Sequence, residues 1–341
     1  MIKEGGRTFA ETLLSAIEAT GAYMLTYAEP PTQAASPIDR SLDSSQETRT
    51  SNFLDLVNLT PCMELTSGKP DVSIGLIDGP VVTGHPELAG ENVREIPGRI
   101  GGTCAHASSL ACMHGTFVAG ILSARRTSTA PAICPGCTLL VRPIFSETPA
   151  AEELIPSATP EELAAAIIEC INAGARLVNL SAALAQVPSS RGERALAHAL
   201  DHAAKRGVIV VTAAGNQRTI GSTAITRHPS VIAVVACDRR GRPLNESNFG
   251  NSIGRRGLSA PGEGITSLGT DSKAAPSGGT SVAAPFVTGA IALAWSEFPD
   301  ASAGQVRVAV TQAHARRRPT IIPALLNAWA IYATMREFRS M

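Results

Sequence analysis

Three residues of this chain carry the side chains that an attack on an acyl group requires. Ser281 stands in GGTSVAAPFVTGAIALAW (278–295), His114 in CMHGTFVAGIL (112–122), and Asp78 directly follows the apolar run VSIGLI (72–77). A serine hydroxyl is a poor nucleophile until a neighbouring base takes its proton. An imidazole is such a base near neutral pH, and a carboxylate holds its tautomer and stabilises the imidazolium that forms. Each residue also has a plain structural reading. Asp78 suits a turn before Gly79 and Pro80, His114 a packed position opening a helix, and Ser281 an N-cap with Pro285 in the first turn of its helix. Separately these plain readings suffice. Together, an Asp at a strand end and a His and a Ser at two helix starts, in the order Asp, His, Ser, describe a nucleophile, its base and the base's orienting acid.

Such a set must be held by a rigid scaffold, and the sequence contains one. The runs VSIGLI (72–77), TLLVRPI (138–144), RLVNLS (176–181), GVIVVTA (207–213) and VIAVVA (231–236) are apolar almost throughout, as strands covered on both faces are. Between them lie helical patterns. TPEELAAAIIECINAGA opens with Thr159 as cap, Pro160 at the first position and two glutamates in the first turn, and closes at Gly174. RGERALAHALDHAAKRG closes in the same way at Gly207. Strand and helix in alternation predict an α/β domain with a parallel sheet, whose chemistry lies at the carboxyl ends of the strands.

Composition narrows the function classes. The 341 residues include 29 basic and 29 acidic side chains, so charge gives no reason to expect a nucleic acid or an acidic membrane as partner. Arg316, Arg317 and Arg318 read as a solvated loop. The N-terminal stretch MIKEGGRTFAETLLSAIEAT carries Glu11 and Glu18 among its apolar positions and is no signal-peptide core. No apolar run is long enough to span a bilayer, and a cytoplasmic location is expected. Residues 30–50 are rich in Pro, Ser and charge and read as a linker or mobile segment. The expected organisation is an N-terminal helical extension with its linker over 1–60, either a removable pro-segment or a docking helix, and a catalytic domain over 61–341.

The seven cysteines leave at least one thiol unpaired, which suits a reducing compartment. Cys134 and Cys137 in ICPGC have ligand spacing, and Cys104 and Cys112 complete a set of four that a structural zinc would need. A local cysteine pair and free packed thiols are the competing readings. His198 and His202 are one helical turn apart but share their face with Arg194, Asp201 and Lys205, which reads as a solvated face.

Four blocks, IGLIDGPVVTGHPEL, HGTFVAG, AAGN and GGTSVAAPFVTG, resemble in type and order the signature blocks of the subtilisin-like serine proteases, over about residues 70–300. Asp-Gly-Pro after the acid, ICPGCTLLVRPIF and the ending LLNAWAIY resemble a narrower branch, the PatA/PatG type associated with maturing ribosomally made peptides such as cyanobactins. The resemblance implies a three-layer α/β fold with a mostly parallel central sheet flanked by helices. It implies a serine endopeptidase with Asp78, His114 and Ser281 as triad. Asn216 and the Ser281 N–H would form the oxyanion hole, although Asn216 alone reads as a turn asparagine. A peptide substrate would lie as an extended strand along NLSAAL (179–184), against Ser181, Ala182 and Ala183. Ala213, Ala214 and Gly215 would line the pocket, with Thr223 near its base.

Ala183 stands where such proteases usually have glycine, which implies a tighter cleft and a small side chain before the scissile bond. Phe117 and Phe286 stand where histidines are usual, and Asp-Gly-Pro alters the turn after the acid. No cofactor is required, and structural calcium is left open. The competing activity is macrocyclisation, in which an inserted helical element shields the acyl-enzyme from water. Only 35 residues separate Asp78 from His114, too few for such a lid, so hydrolysis is the expected outcome.

Overall fold

The apolar runs form the expected strands. In a computed structural model, which describes residues 25–27 and 53–339 apart from 89, 148–156, 185–188, 272 and 315–319, the strands are β1 Leu25–Tyr27, β2 Ser73–Asp78, β3 Val93–Glu95, β4 Thr138–Pro143, β5 Ser157–Ala158, β6 Leu177–Leu180, β7 Ala182–Leu184, β8 Ile209–Ala213, β9 Val231–Cys237, β10 Leu258–Pro261, β11 Ile265–Leu268, β12 Ala274–Ser277 and β13 Ala324–Leu325. The N-terminal helical pattern, the 30–50 segment and the arginine run 316–318 lie outside the described residues.

Eight strands form one sheet in the order β13-β10-β9-β8-β6-β2-β4-β3, and its pairings are parallel. Side chains cover both faces. One core packs the helices Leu110–Ser123 and Thr280–Glu297 against the sheet, and the other packs Pro160–Asn172 and Ser190–Lys205. This is a three-layer α/β architecture. The chain moves from β2 outward to β4 and later returns to place β6 on the other side of β2. The strand order therefore reverses at β2, and in open α/β sheets such a reversal leaves a crevice at the carboxyl end of the strand. Asp78 is the last residue of β2.

Local signals set the helix ends. Thr159 caps Pro160–Asn172 in a full capping box, its hydroxyl accepting from the Glu162 N–H. Gly174 and Gly207 take positive φ after their helices, at +89° and +71°. Two boundaries differ from expectation. The helix bearing His114 starts at Leu110, so His114 is its fifth residue rather than its opening one. The helix bearing Ser281 starts at Thr280 with Gly279 as N-cap, at φ +106°, so Ser281 is not the cap and Pro285 lies beyond the first turn.

A short second sheet places β1 between β5 and β7, antiparallel to both. Tyr27, Thr26 and Leu25 pair with Ala182, Ala183 and Leu184. Among the described residues no helix is long and apolar enough to cross a membrane.

The four cysteines considered as a zinc set do not form one site. Cys104 and Cys112 are joined in a disulfide, whereas Cys134 and Cys137 are buried free thiols. The Cys134 and Cys137 side chains share a hydrogen bond, which lowers the Cys137 thiol and, together with burial, pushes the Cys134 thiol up.

Candidate active site

The site is assembled by three elements meeting at the carboxyl end of β2. His114 Nδ1 lies 2.8 Å from Asp78 Oδ1, and His114 Nε2 lies 3.0 Å from Ser281 Oγ. With Asp78 ionised, Nδ1–H donates to the carboxylate and Nε2 is left to accept the serine proton. Asp78 is fully buried and the His114 side chain is 13% exposed.

One glycine permits this approach. A Cβ on Gly115 would stand 2.4 Å from the Pro80 carbonyl oxygen and 2.5 Å from that of Gly79, so only a glycine after His114 lets its helix rest on the turn that follows Asp78. Gly79 donates its N–H to Asp78 Oδ1 at 2.7 Å. Oδ1 therefore takes two donors, and the buried Oδ2 has none among the described residues. The turn supplies no more because Gly79 has no side chain and Pro80 no N–H.

Ser281 is the second residue of its helix, where N–H groups lack intrahelical acceptors and the helix dipole is positive. Asn216 sits beside it, its Oδ1 accepting from the Thr280 N–H at 3.0 Å. The loop is held by groups that sequence reasoning missed. Thr280 Oγ1 accepts from Gly215 N at 3.1 Å, and Asn248 donates to the Ala214 carbonyl at 3.1 Å while its N–H donates to the Gly215 carbonyl at 2.8 Å. Gly215 has φ +100°, a left-handed conformation that suits glycine.

Ser181 is buried and bonded to the backbone of the nucleophile. Its hydroxyl donates to the Ser281 carbonyl at 3.3 Å and accepts from Asn179 Nδ2 at 2.8 Å, while Thr288 Oγ donates to Asn179 Oδ1 at 2.7 Å. The signal for Thr288 was visible: a hydroxyl within an otherwise apolar helix needs a partner. Ala182 and Ala183 belong to β7 and pair with Tyr27 and Thr26. Ala213 ends β8, and both it and Ala214 are buried. Thr223 caps the short helix Ala224–Arg227, and a capping box with Thr226 engages its hydroxyl.

This fold and these blocks define a class. Residues 69–324 match the subtilase family model, and the chain belongs to that family of serine endopeptidases. Among individual relatives, it is 30% identical over 200 residues to the thermostable alkaline protease of Halalkalibacterium halodurans, covering 58% of this chain and 51% of that one. It is 29% identical to subtilisin DY of Bacillus licheniformis, over 70% of this chain and 81% of that one. The chain thus spans about half the length of the first relative. Among solved structures, an alanine mutant of the PatA protease domain superposes with TM-score 0.72 at 28% identity, covering 80% of this chain and 97% of that one. PatA is a patellamide maturation protease. The PatG macrocyclase in complex with peptide shares the fold, with TM-score 0.67 at 20% identity, covering 82% of this chain and 95% of that one.

Proposed function

We propose that this protein is a serine endopeptidase that hydrolyses peptide bonds in a precursor peptide, removing a leader or tail during maturation of a ribosomal peptide. The observation that carries the reading is the hydrogen-bonded chain from Asp78 through His114 to Ser281. In it Ser281 Oγ attacks the scissile carbonyl while His114 takes its proton and later gives it to the leaving amine. Asp78 keeps the imidazole in the productive tautomer. The Ser281 N–H and the Asn216 amide donate to the oxyanion, whose charge is absent from the ground state, so these donors act mainly on the barrier. The chemistry needs no cofactor.

The peptide would bind as an extended strand between β5 and β7, the position that β1 fills. Structural neighbours that act in peptide maturation support the precursor assignment, as does an alanine at 183 where such proteases usually have glycine. Macrocyclisation, the activity named for the PatG domain, is the second reading. The short connection between Asp78 and His114 favours water as the acyl acceptor.

The test is digestion of candidate precursor peptides and unfolded casein, with products read by mass. One or two cuts with addition of water in a precursor, and little change in casein, support the reading. Cyclised products overturn hydrolysis, and casein degradation at many sites overturns the narrow substrate. Absence of any covalent adduct between Ser281 and a fluorophosphonate overturns the mechanism.

A further inference from the structure

The helix Leu110–Ser123 shows large apolar side chains to solvent only in its first turn. Gly115 to Ser123 are all buried, yet Leu110 is 53% exposed and Met113 45%. Of the exposed large hydrophobics among the described residues, these two alone share a helix. Leu110 precedes His114 by four residues, so their side chains lie on one face a turn apart, and Met113 adjoins Leu110 at the i+3 position. A leucine and a methionine side by side next to a catalytic imidazole are an apolar surface at the edge of the cleft, where a substrate could cover it.

The segment before this turn is clasped from four directions. Cys104 is bonded through sulfur to Cys112, within the helix, and its N–H donates to the Val81 carbonyl at 3.1 Å. Val81 N–H donates to the Gly102 carbonyl at 2.9 Å. The Glu147 carboxylate accepts from the N–H groups of Ala105 and His106, at 2.9 and 2.8 Å. Thr270 donates to the Ala107 carbonyl at 2.7 Å. Of these ties, the disulfide alone joins the segment covalently to the turn that carries Leu110 and Met113.

We propose that Leu110 and Met113, beside the imidazole that protonates the leaving amine, form a specificity-determining wall of the peptide cleft, selecting a bulky apolar side chain after the bond that is cut, and that the Cys104–Cys112 bridge holds this wall in place. The inference rests on the peptidase reading and names its substrate more narrowly. The bridge can be opened chemically. A dithiothreitol thiolate attacks Sγ of the half-buried Cys104, the S–S bond breaks, and Cys112 leaves as a thiolate. Cys112 is the third residue of its helix, where the dipole favours that leaving group. The second dithiothreitol thiolate then closes its own disulfide and releases the Cys104 thiolate, so two electrons pass from reagent to bridge.

The experiment compares peptides identical except for Leu or Ser at each of the two positions on either side of the scissile bond. The ratio of kcat/KM values is measured for the native chain, for Leu110→Ser with Met113→Ser, and for Cys104→Ser with Cys112→Ser. Fluorophosphonate labelling of Ser281 reports in each case that the site is assembled, and Kd of the same peptides in a Ser281→Ala background gives a readout independent of turnover. The native chain should prefer a Leu peptide by about tenfold, chiefly through KM. The ratio should collapse towards one in the Leu110/Met113 variant, and it should fall on dithiothreitol treatment of the native chain but not of the cysteine variant. An unchanged ratio and unchanged Kd values in a Leu110/Met113 variant that still labels would overturn the wall. An unchanged ratio after reduction verified by mass would overturn the clasp. A native chain that fails to label would instead remove the peptidase reading on which both depend.

Discussion

Pro285 lacks the N–H that would bond the Ser281 carbonyl four residues earlier, and the Ser181 hydroxyl donates to that carbonyl at 3.3 Å. A proline inside a helix ordinarily costs about 3 kcal/mol or more because it orphans an acceptor. Here the orphaned acceptor belongs to the nucleophile, and the segment joining β6 to β7 fills it. The cleft floor and the nucleophile are thus one hydrogen-bonded unit. Ser181→Ala leaves a buried carbonyl unsatisfied and is expected to destabilise the fold by about 1–3 kcal/mol. Calorimetry would show a lower melting temperature, and turnover should fall more than affinity; an unchanged melting temperature would contradict the arrangement.

Ser281→Ala should abolish peptide cleavage and leave the circular dichroism spectrum and melting profile close to native, since the helix is capped by Gly279 and not by this side chain. Asn216→Ala should keep KM and lose about 10²–10³ in kcat. A loss confined to KM would assign Asn216 to substrate binding instead.

Gly115→Ala tests the contact that brings His114 to Asp78. The added methyl would meet the Pro80 and Gly79 carbonyl oxygens, so the helix must retreat from the end of β2. A displacement on the order of 1 Å can cost about 10² in rate. The variant is expected to fold and to label Ser281 with fluorophosphonate far more slowly than the native chain. Native labelling would mean that the helix tolerates the methyl without moving His114.

Burial pushes the thiols of Cys62, Cys170 and Cys237 up to about 12. At pH 8 such groups hold only about one part in 10⁴ as thiolate, the reactive form, and the fraction grows only as pH rises towards that value. Iodoacetamide should therefore modify none of these three in the native protein at pH 8 and should modify all of them in denaturant. Prompt native alkylation at any of the three would show that its environment is more open than this packing.

If β1 occupies the position of a substrate strand, it competes with peptides at the high effective concentration of a tethered segment. Removing residues 1–27 in a Ser281→Ala background is expected to tighten peptide binding by about tenfold, measured by fluorescence anisotropy. Equal affinities would show that β1 does not stand in the peptide's way.

Much of this was legible in the residues. Strands such as Ile209–Ala213 and Val231–Cys237 announce themselves because both of their faces are covered, and Thr159 with Glu162 marks a helix start by local hydrogen bonding alone. The start at Leu110 was not legible, because Ser109 occupies the cap position without a side-chain cap bond and the turn is set by a disulfide partner eight residues away. Nor were the roles of Thr280, Asn248 and Ser181, whose partners are 65, 34 and 100 residues distant. Short-range chemistry writes the elements, and long-range hydrogen bonds, invisible to pattern, lock the site.

The small sheet β5-β1-β7 has a colloidal consequence. Without its middle strand, the groove presents two facing rows of unpaired backbone donors and acceptors, and exposed edges of this kind recruit any extended chain that reaches them. Such an edge reads main chain rather than sequence, so an extended segment of a second molecule would fit as well as the tethered strand. Preparations lacking the first 27 residues should therefore show concentration-dependent association that a short extended peptide disperses.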